Sequence, residues 1–139
     1  MARHEAQALL SAPFHHSPTM ALIDAVAEGL PFNAADELSA ALAPKDPAFR
    51  YQLVPKATYA RRKLAQRLSP QESERLVRLS RVWGLALEIW REEDAARQFL
   101  WAPHMLLQGR SPLDVSMASE LGGKKVEELM GQIIAGVGV

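Results

Sequence analysis

Residues that could support catalysis are few in this chain, and their spacing matches no catalytic set. The four histidines, His4, His15, His16 and His104, accompany no serine nucleophile in a recognisable motif, and the sequence has no cysteine. It also lacks a phosphate-binding glycine loop and the His-Glu-x-x-His spacing of a zinc site. We therefore predict a binding protein that is not an enzyme and that uses no cofactor and no metal.

The clearest chemical signal is a basic segment at residues 50–68. This segment has six Lys or Arg residues and no Asp or Glu, whereas residues 1–49 have two basic and six acidic ones. Residues 69–139 have eight basic and ten acidic residues, and the formal net charge of the whole chain is zero. Because the uncompensated positive charge is concentrated in this one short segment, we expect the segment to face DNA or an acidic protein surface.

Helical periodicity places this basic segment on one helix, residues 55–66. Ala57, Ala60, Leu64 and then Leu68 fall in one narrow sector at about 100° per residue, which predicts a seam for close packing. A short helix, a brief turn and a basic helix form the plan of a helix-turn-helix, whose second helix enters the major groove of DNA. The predicted DNA contacts are Lys56, Thr58, Tyr59, Arg61, Arg62, Lys63 and Gln66. On chemistry alone, a solvated helix face explains these residues equally well.

A second informative stretch, residues 99–115, is rich in apolar side chains but cannot form one continuous helix. Its helix-breaking residues are Pro103, Gly109 and Pro112. The sequence predicts a short helix, a glycine-containing turn and a new helix that begins at Pro112 with Ser111 as its cap. Arg110 and Asp114 are expected to form a structural ion pair across this turn.

These residues resemble the toxin-binding domain of the Xre/MbcA/ParS-type antitoxins. Pro103 with Leu106, Gly109-Arg110 and Ser111-Pro112-Leu113-Asp114 are similar to its Pro-Asn pair, glycine turn and Pro-Leu-Asp helix start. Ser119-Glu120-Leu121-Gly122 resembles its Thr-Glu-x-Gly, and Val126-Glu127-Glu128-Leu129 with Gly136 resembles its closing helix. The chain departs from the family at His104, where Asn is usual, and at Gln108, where Gly is usual.

The resemblance covers roughly residues 22–139 and implies a function. Residues 54–63 are similar to the recognition helix of the same family, which favours DNA as the partner of the basic segment. The family implies a RES-type toxin partner that degrades NAD or ADP-ribosylates, an active-site entrance blocked by the antitoxin's C-terminal region, and repression of the antitoxin's own operon. The predicted toxin-binding residues are Trp101, Arg110, Leu113, Asp114, Ile133, Ile134, Val137, Gly138 and Val139. The alternative is a stand-alone helical transcriptional regulator or adaptor without a toxin partner.

The last helix is predicted from a stripe of apolar residues at helical spacing. The stripe comprises Val126, Leu129, Met130, Ile133, Ile134 and Val137. Gly131 and Gly136 each weaken a helix by about 1 kcal/mol relative to Ala, which suggests that a partner completes it. A slim tail such as residues 136–139 could enter the concave pocket of a dinucleotide-binding toxin. Alternatively, the stripe only closes the core of the domain.

Together these patterns predict an all-α protein, with an N-terminal Xre-like helix-turn-helix domain followed by a small helical toxin-binding domain. The predicted bounds are a flexible tail at 1–19, a helix-turn-helix domain at 20–68, a long connecting or dimerisation helix at 69–92 and a toxin-binding domain at 93–139.

Within the helices, Asn33 and Asp46 are expected to be N-caps, and Ser69-Pro70-Gln71-Glu72 is typical of a capping box that begins the long helix. Trp83 and Trp90 share one face of that helix, as core or as the seam of a homodimer. No apolar run reaches the ~20 residues of a membrane span, so we expect no membrane partner. The absence of cysteine fits a cytoplasmic protein.

Overall fold

The structure is a computed structural model that describes residues 19–136. Within this range the chain forms eight α-helices, which are α1 Met20–Glu28, α2 Asn33–Leu42, α3 Arg50–Leu53, α4 Lys56–Ala65, α5 Pro70–Trp90, α6 Glu93–Trp101, α7 Pro112–Ala118 and α8 Glu120–Ile134. Two short 3₁₀ helices, Pro47–Phe49 and Met105–Leu107, precede α3 and follow α6. Residues 19–136 contain isolated β-bridges but no strand, which confirms the all-α prediction. In the same range, no helix has the length and apolar character that crossing a membrane requires.

Polar caps begin several helices where the sequence predicts them. The Asp46 side chain accepts a hydrogen bond from the amide of Ala48 at 3.2 Å, and the Ser111 hydroxyl accepts one from the amide of Asp114 at 3.1 Å. Asn33 does not cap α2, and that prediction was wrong. The backbone is already helical at Phe32, so Asn33 lies inside the helix, where its side chain donates to Glu37 at 3.4 Å.

Contacts divide the chain into two compact units, the first ending at Val77 and the second beginning at Arg78, so that α5 supplies residues to both. In the first unit, the buried apolar side chains come from the segment before α2, from α2, the 3₁₀ helix, α3 and the residue after it, and the first turns of α5: Leu30, Leu38, Leu42, Phe49, Leu53, Val54 and Leu76. In the second unit, the buried set comes from the rest of α5 and from α6 to α8: Leu79, Val82, Ala96, Leu100, Leu113, Val126, Leu129 and Met130.

The two tryptophans of the long helix both pack within the second unit. Trp83 is buried, and the guanidinium of Arg97 lies 5.3 Å from the centre of its ring. Trp90 is half-buried and stacks on Phe99 with 4.2 Å between the ring centres. Both rings therefore contribute to packing inside one chain, and a homodimer formed through this helix stays a prediction.

Candidate nucleic-acid and toxin interfaces

Helix α4 presents to solvent the face that the sequence pattern assigned to packing. No residue of α4 is fully buried. Its half-buried residues are Thr58, Tyr59 and Arg62, whereas Ala57 and Ala60 are exposed and Leu64 is 89% exposed. Of the expected seam, Leu68 is buried just after the helix. The burial expected for Ala57, Ala60 and Leu64 was wrong, because polar and aromatic contacts hold the opposite face of α4.

Tyr59 fixes the first half of α4 to the rest of the first unit. Its hydroxyl donates to the carboxylate of Asp36 on α2, with oxygen–oxygen distances of 2.9 and 3.0 Å. Its ring meets those of Phe32 and Tyr51 edge to face, with centres 4.9 and 5.3 Å apart. Burial and the hydrogen bond to Asp36 raise the pKa of the Tyr59 hydroxyl, against the opposing effect of Arg50. Tyr59 is thus engaged inside the unit.

Arg62 fixes the second half of α4 to the start of α5. Its Nε donates to Oε1 of Glu72 at 2.9 Å, and both side chains are largely removed from solvent. Glu72 also completes the capping box predicted for α5, since its carboxylate accepts from the amide of Ser69 at 2.8 Å and its amide donates to the Ser69 hydroxyl at 3.1 Å. Burial raises the pKa of Glu72, but the hydrogen bonds from Ser69 and Arg62 outweigh it and lower that pKa overall.

The end of α4 is held by backbone pairing with the segment between α1 and α2. The amide of Leu68 donates to the carbonyl of Leu30 at 2.9 Å, and the amide of Phe32 donates to the carbonyl of Gln66 at 3.2 Å. Gly29 makes this approach possible, because it has a φ of +94° and a Cβ there would lie 2.1 Å from the carbonyl oxygen of Leu68. Gln66 itself adopts the left-handed conformation that ends the helix.

The other predicted DNA contacts lie on the exposed part of α4. Lys56, Arg61 and Lys63 are exposed, and within residues 19–136 the side chains of Arg61 and Lys63 have no ion-pair partner. The Nζ of Lys56 lies 5.6 Å from the ring centre of Tyr51. The Gln66 amide nitrogen donates to the carbonyl of Lys63 at 2.6 Å. The structure thus separates three outward cations from the inward-facing Tyr59 and Arg62, while Thr58 is half-buried.

In the second unit, the turn between α6 and α7 is closed by His104 and Gln108, the two residues that differ from the family it resembles. Nδ1 of His104 accepts from the amide of Leu106 at 3.1 Å, so this side chain caps the 3₁₀ helix as an Asn side chain would. Gln108 has a φ of +58°, which places an ordinary residue in the left-handed region, and Gly109 follows with a φ of +82°. The amide of His104 pairs with the carbonyl of Arg110 at 3.0 Å.

The predicted toxin-binding residues around this turn differ in accessibility. Leu113 is 1% exposed and belongs to the core, whereas Arg110 and Asp114 are exposed and Trp101 is 43% exposed. Arg110 and Asp114 do not form the expected ion pair. Arg110 instead donates to the Gln108 side chain at 3.4 Å, because the turn directs it back along the loop.

Two apolar residues of the same turn are exposed, although neither is among the predicted toxin-binding residues. Met105 is 88% exposed and Leu106 is 51% exposed, only four and five residues after Trp101. The sequence could have indicated their exposure, because they lie in a break between helices and belong to no helical stripe that would place them in a core. Trp101, Met105 and Leu106 thus expose apolar surface within six consecutive residues, and we call these three residues the turn cluster.

The predicted stripe on α8 divides between core and surface. Val126, Leu129 and Met130 are buried, Ile133 is half-buried and Ile134 is 60% exposed. Val137, Gly138 and Val139 lie outside the described residues. Most of the stripe therefore closes the core of the second unit, and Ile134 is the described member that remains at the surface.

Close packing of α8 against α7 and against Arg78 of α5 explains two of the glycines in the closing helix. A Cβ on Gly122 would lie 2.0 Å from the carbonyl oxygen of Val115, and one on Gly123 would lie 2.8 Å from Cδ of Arg78. Arg78 donates in turn to the carbonyls of Ser116 and Met117 at 2.7 and 3.1 Å, which satisfies the end of α7. By contrast, a Cβ on Gly131 would meet no neighbouring residue of the described range within 4 Å.

Two family models match the chain, one for each part of this architecture. The antitoxin Xre-like helix-turn-helix domain matches residues 21–81. The antitoxin Xre/MbcA/ParS C-terminal toxin-binding domain matches residues 85–136. No curated protein sequence matches the chain. The two domains occur in the predicted order, which confirms the family resemblance drawn from the sequence.

Proposed function

Since the chain belongs to the Xre/MbcA/ParS antitoxin family, we propose that it neutralises a RES-type toxin and represses its own operon. The toxin would degrade NAD or ADP-ribosylate a target, and the second unit would cover its active site. The first unit would bind operator DNA through α4. The stand-alone regulator remains the alternative, and it requires DNA binding without any toxin partner.

The observation that carries the DNA-binding proposal is the attachment of α4. Tyr59 and Arg62 hold one side of the helix through Asp36 and Glu72, and the opposite side is left to solvent with Arg61 and Lys63. A recognition helix needs this division, because it must be fixed to its domain while a basic face enters the groove. The cations of that face would neutralise phosphates and make binding salt-dependent.

The turn cluster supports the toxin-binding proposal. Trp101, Met105 and Leu106 expose apolar surface within six residues, beside the exposed Arg110. Exposed apolar clusters with a polar rim mark protein-binding sites, and Trp and Arg are enriched among residues that dominate binding energy. We place the centre of the toxin interface here, with Asp114 and Ile134 as further candidates.

Homodimerisation is part of the proposal. A helix-turn-helix contacts few base pairs, and a symmetric pair that binds two half-sites is the usual solution. Light scattering on the protein alone and with its operator should give the mass of two chains, and a single chain in both states would rule this out.

Co-expression with the neighbouring reading frame tests the toxin proposal. If that frame encodes the toxin, its expression alone should arrest growth and deplete cellular NAD, and co-expression of this chain should restore both. If the toxin alone arrests growth without changing the NAD level, and co-expression of this chain restores growth, the result would point to ADP-ribosylation. A neighbouring frame that is harmless and does not co-purify with this chain would favour the stand-alone regulator.

A further inference from the structure

The exposed face of α4 carries an apolar ridge that the fold does not use. Ala57, Ala60 and Leu64 follow one another at helical spacing along its outer side, and Leu64 is 89% exposed. The half-buried residues of the helix lie on the other side. We call these three residues the α4 ridge. A leucine this exposed contributes almost nothing to the core, so the ridge is available to a partner.

Cations flank the α4 ridge on both sides. At about 100° per residue, Lys56 and Lys63 lie along one edge and Arg61 along the other. Residues 50–68 contain no acidic side chain that could compensate them. The surface therefore fits a partner that is apolar at its centre and anionic at both edges.

The major groove of duplex DNA has this arrangement. Phosphates line both walls, and each thymine places its 5-methyl group on the floor, where small apolar side chains such as Ala contact it. A second copy of this chain fits less well, because a two-fold contact through this face would bring the same cations together. DNA is therefore the occupant to which the charges point.

The dimensions of the α4 ridge match a short run of base pairs. Ala57 and Leu64 are seven residues apart, which is about 10 Å along a helix that rises 1.5 Å per residue. This length corresponds to about three base-pair steps at roughly 3.4 Å each. Because Ala57 and Ala60 have no side chain beyond Cβ, the helix backbone can approach the floor of the groove closely.

We infer that the α4 ridge contacts thymine methyl groups in the major groove and that Leu64 and the two alanines thereby set sequence preference. This inference rests on the proposed DNA-binding function and specifies which bases the protein selects. Arg61 and Lys63 would supply phosphate contacts, which contribute affinity without regard to sequence.

The test uses a duplex selected by the full-length protein from a randomised library. Each thymine of the selected site is replaced in turn by deoxyuridine, which removes only the methyl group. We expect two or three positions at which this change weakens binding by roughly fourfold, because burying one methyl group contributes about that factor to the affinity. The Leu64→Ala variant should bind the thymine duplex more weakly than the unmodified protein does. At one of those positions, it should bind the deoxyuridine duplex as tightly as the thymine duplex, because the side chain that contacts the methyl group is gone.

The control is Leu121→Ala, which removes a similarly exposed leucine from the second unit and should retain the full response to deoxyuridine. Salt-dependent binding that is indifferent to deoxyuridine at every position would overturn the inference and leave the proposed DNA-binding function intact. Failure to select any duplex would overturn both. If Leu64→Ala instead abolished dimerisation or toxin binding, the ridge would belong to a protein interface and the inference would be wrong.

Discussion

Nε of Arg62 and the backbone amide of Ser69 donate to the same carboxylate oxygen, Oε1 of Glu72, at 2.9 and 2.8 Å. One acidic side chain thus caps α5 and attaches α4 to it. Arg62 contributes to the first unit through this contact before any DNA is present.

Replacing Arg62 by Ala should therefore lower the free energy of unfolding by about 1–3 kcal/mol, because a largely buried hydrogen bond to a charged group is lost. Urea denaturation measures this change. The control is Arg61→Ala on the same helix, which has no ion-pair partner within residues 19–136 and should change stability by less than about 0.5 kcal/mol. If Arg62→Ala were fully stable but failed to bind operator DNA, Arg62 would be a base contact, as the sequence pattern predicts.

The lowered pKa of Glu72 predicts how stability depends on acid pH. Its folded-state pKa lies below the reference value of 4.5, so the ionised form stabilises the folded protein. This contribution is fully present above pH 4.5 and is lost as the pH falls through the folded-state pKa. Glu72→Gln should lower stability near pH ~7 and flatten the stability profile in that acid range. An unchanged acid slope in the variant would contradict the assignment.

Lys63 should contribute to DNA binding through charge alone. Lys63→Ala is expected to weaken binding to all duplexes alike and to reduce the slope of log K against log salt by about one. Lys124→Ala serves as the control, since Lys124 is an exposed lysine of the second unit. Fluorescence anisotropy at several salt concentrations measures both slopes. A sequence-specific loss in Lys63→Ala would show that this lysine contacts a base.

How far the sequence predicts this structure can be judged from α4. Its position and length follow from Pro55 and the helical pattern, and its basic character follows from composition. Its orientation could not be predicted, because the residues that hold it inward, Tyr59 and Arg62, pair with Asp36 and Glu72, 23 positions before and 10 after. The local helical pattern places Ala57 and Leu64 on a buried face, because a pattern within one helix carries no information about polar partners elsewhere in the chain.

The second unit shows the same limit. The cap at Ser111 and the stripe on α8 are local patterns, and the structure places both as predicted up to Ile133. The burial of Leu113 and the role of Gly122 depend on how α7 and α8 meet, which no single segment of sequence specifies. Exposure of Met105 likewise becomes visible only once the turn is closed.

The two glycines Gly122 and Gly131 should respond oppositely to alanine. Gly122→Ala would force a methyl group against the carbonyl of Val115, and we expect a loss of roughly 2 kcal/mol or more from the strain. Gly131→Ala meets open space inside a helix and should raise stability by roughly 0.5–1 kcal/mol. Thermal unfolding of the two variants measures the contrast. Similar effects of the two substitutions would contradict the packing described for α7 and α8.

The turn cluster and the tail should affect different steps of toxin neutralisation. We expect Met105→Ser to weaken toxin binding, since it makes an exposed apolar contact polar in a protein interface. Deletion of residues 136–139 should leave much of the affinity and relieve inhibition, if the tail occupies the active site while the turn cluster provides the docking surface. Calorimetry with an inactive toxin measures the affinity, and NAD consumption by active toxin measures the inhibition.

The matched control for Met105→Ser is Met20→Ser, which changes a methionine that is also mostly exposed, at 66%, but lies in the first unit. It should alter neither affinity nor inhibition. Full inhibition by the truncated protein would show that the tail does not block the toxin's active site, and the blocking surface would then lie at the turn cluster itself. If Met105→Ser bound the toxin with unchanged affinity and the truncated protein lost affinity, the two roles would be reversed. The tail would then provide the docking surface for the toxin.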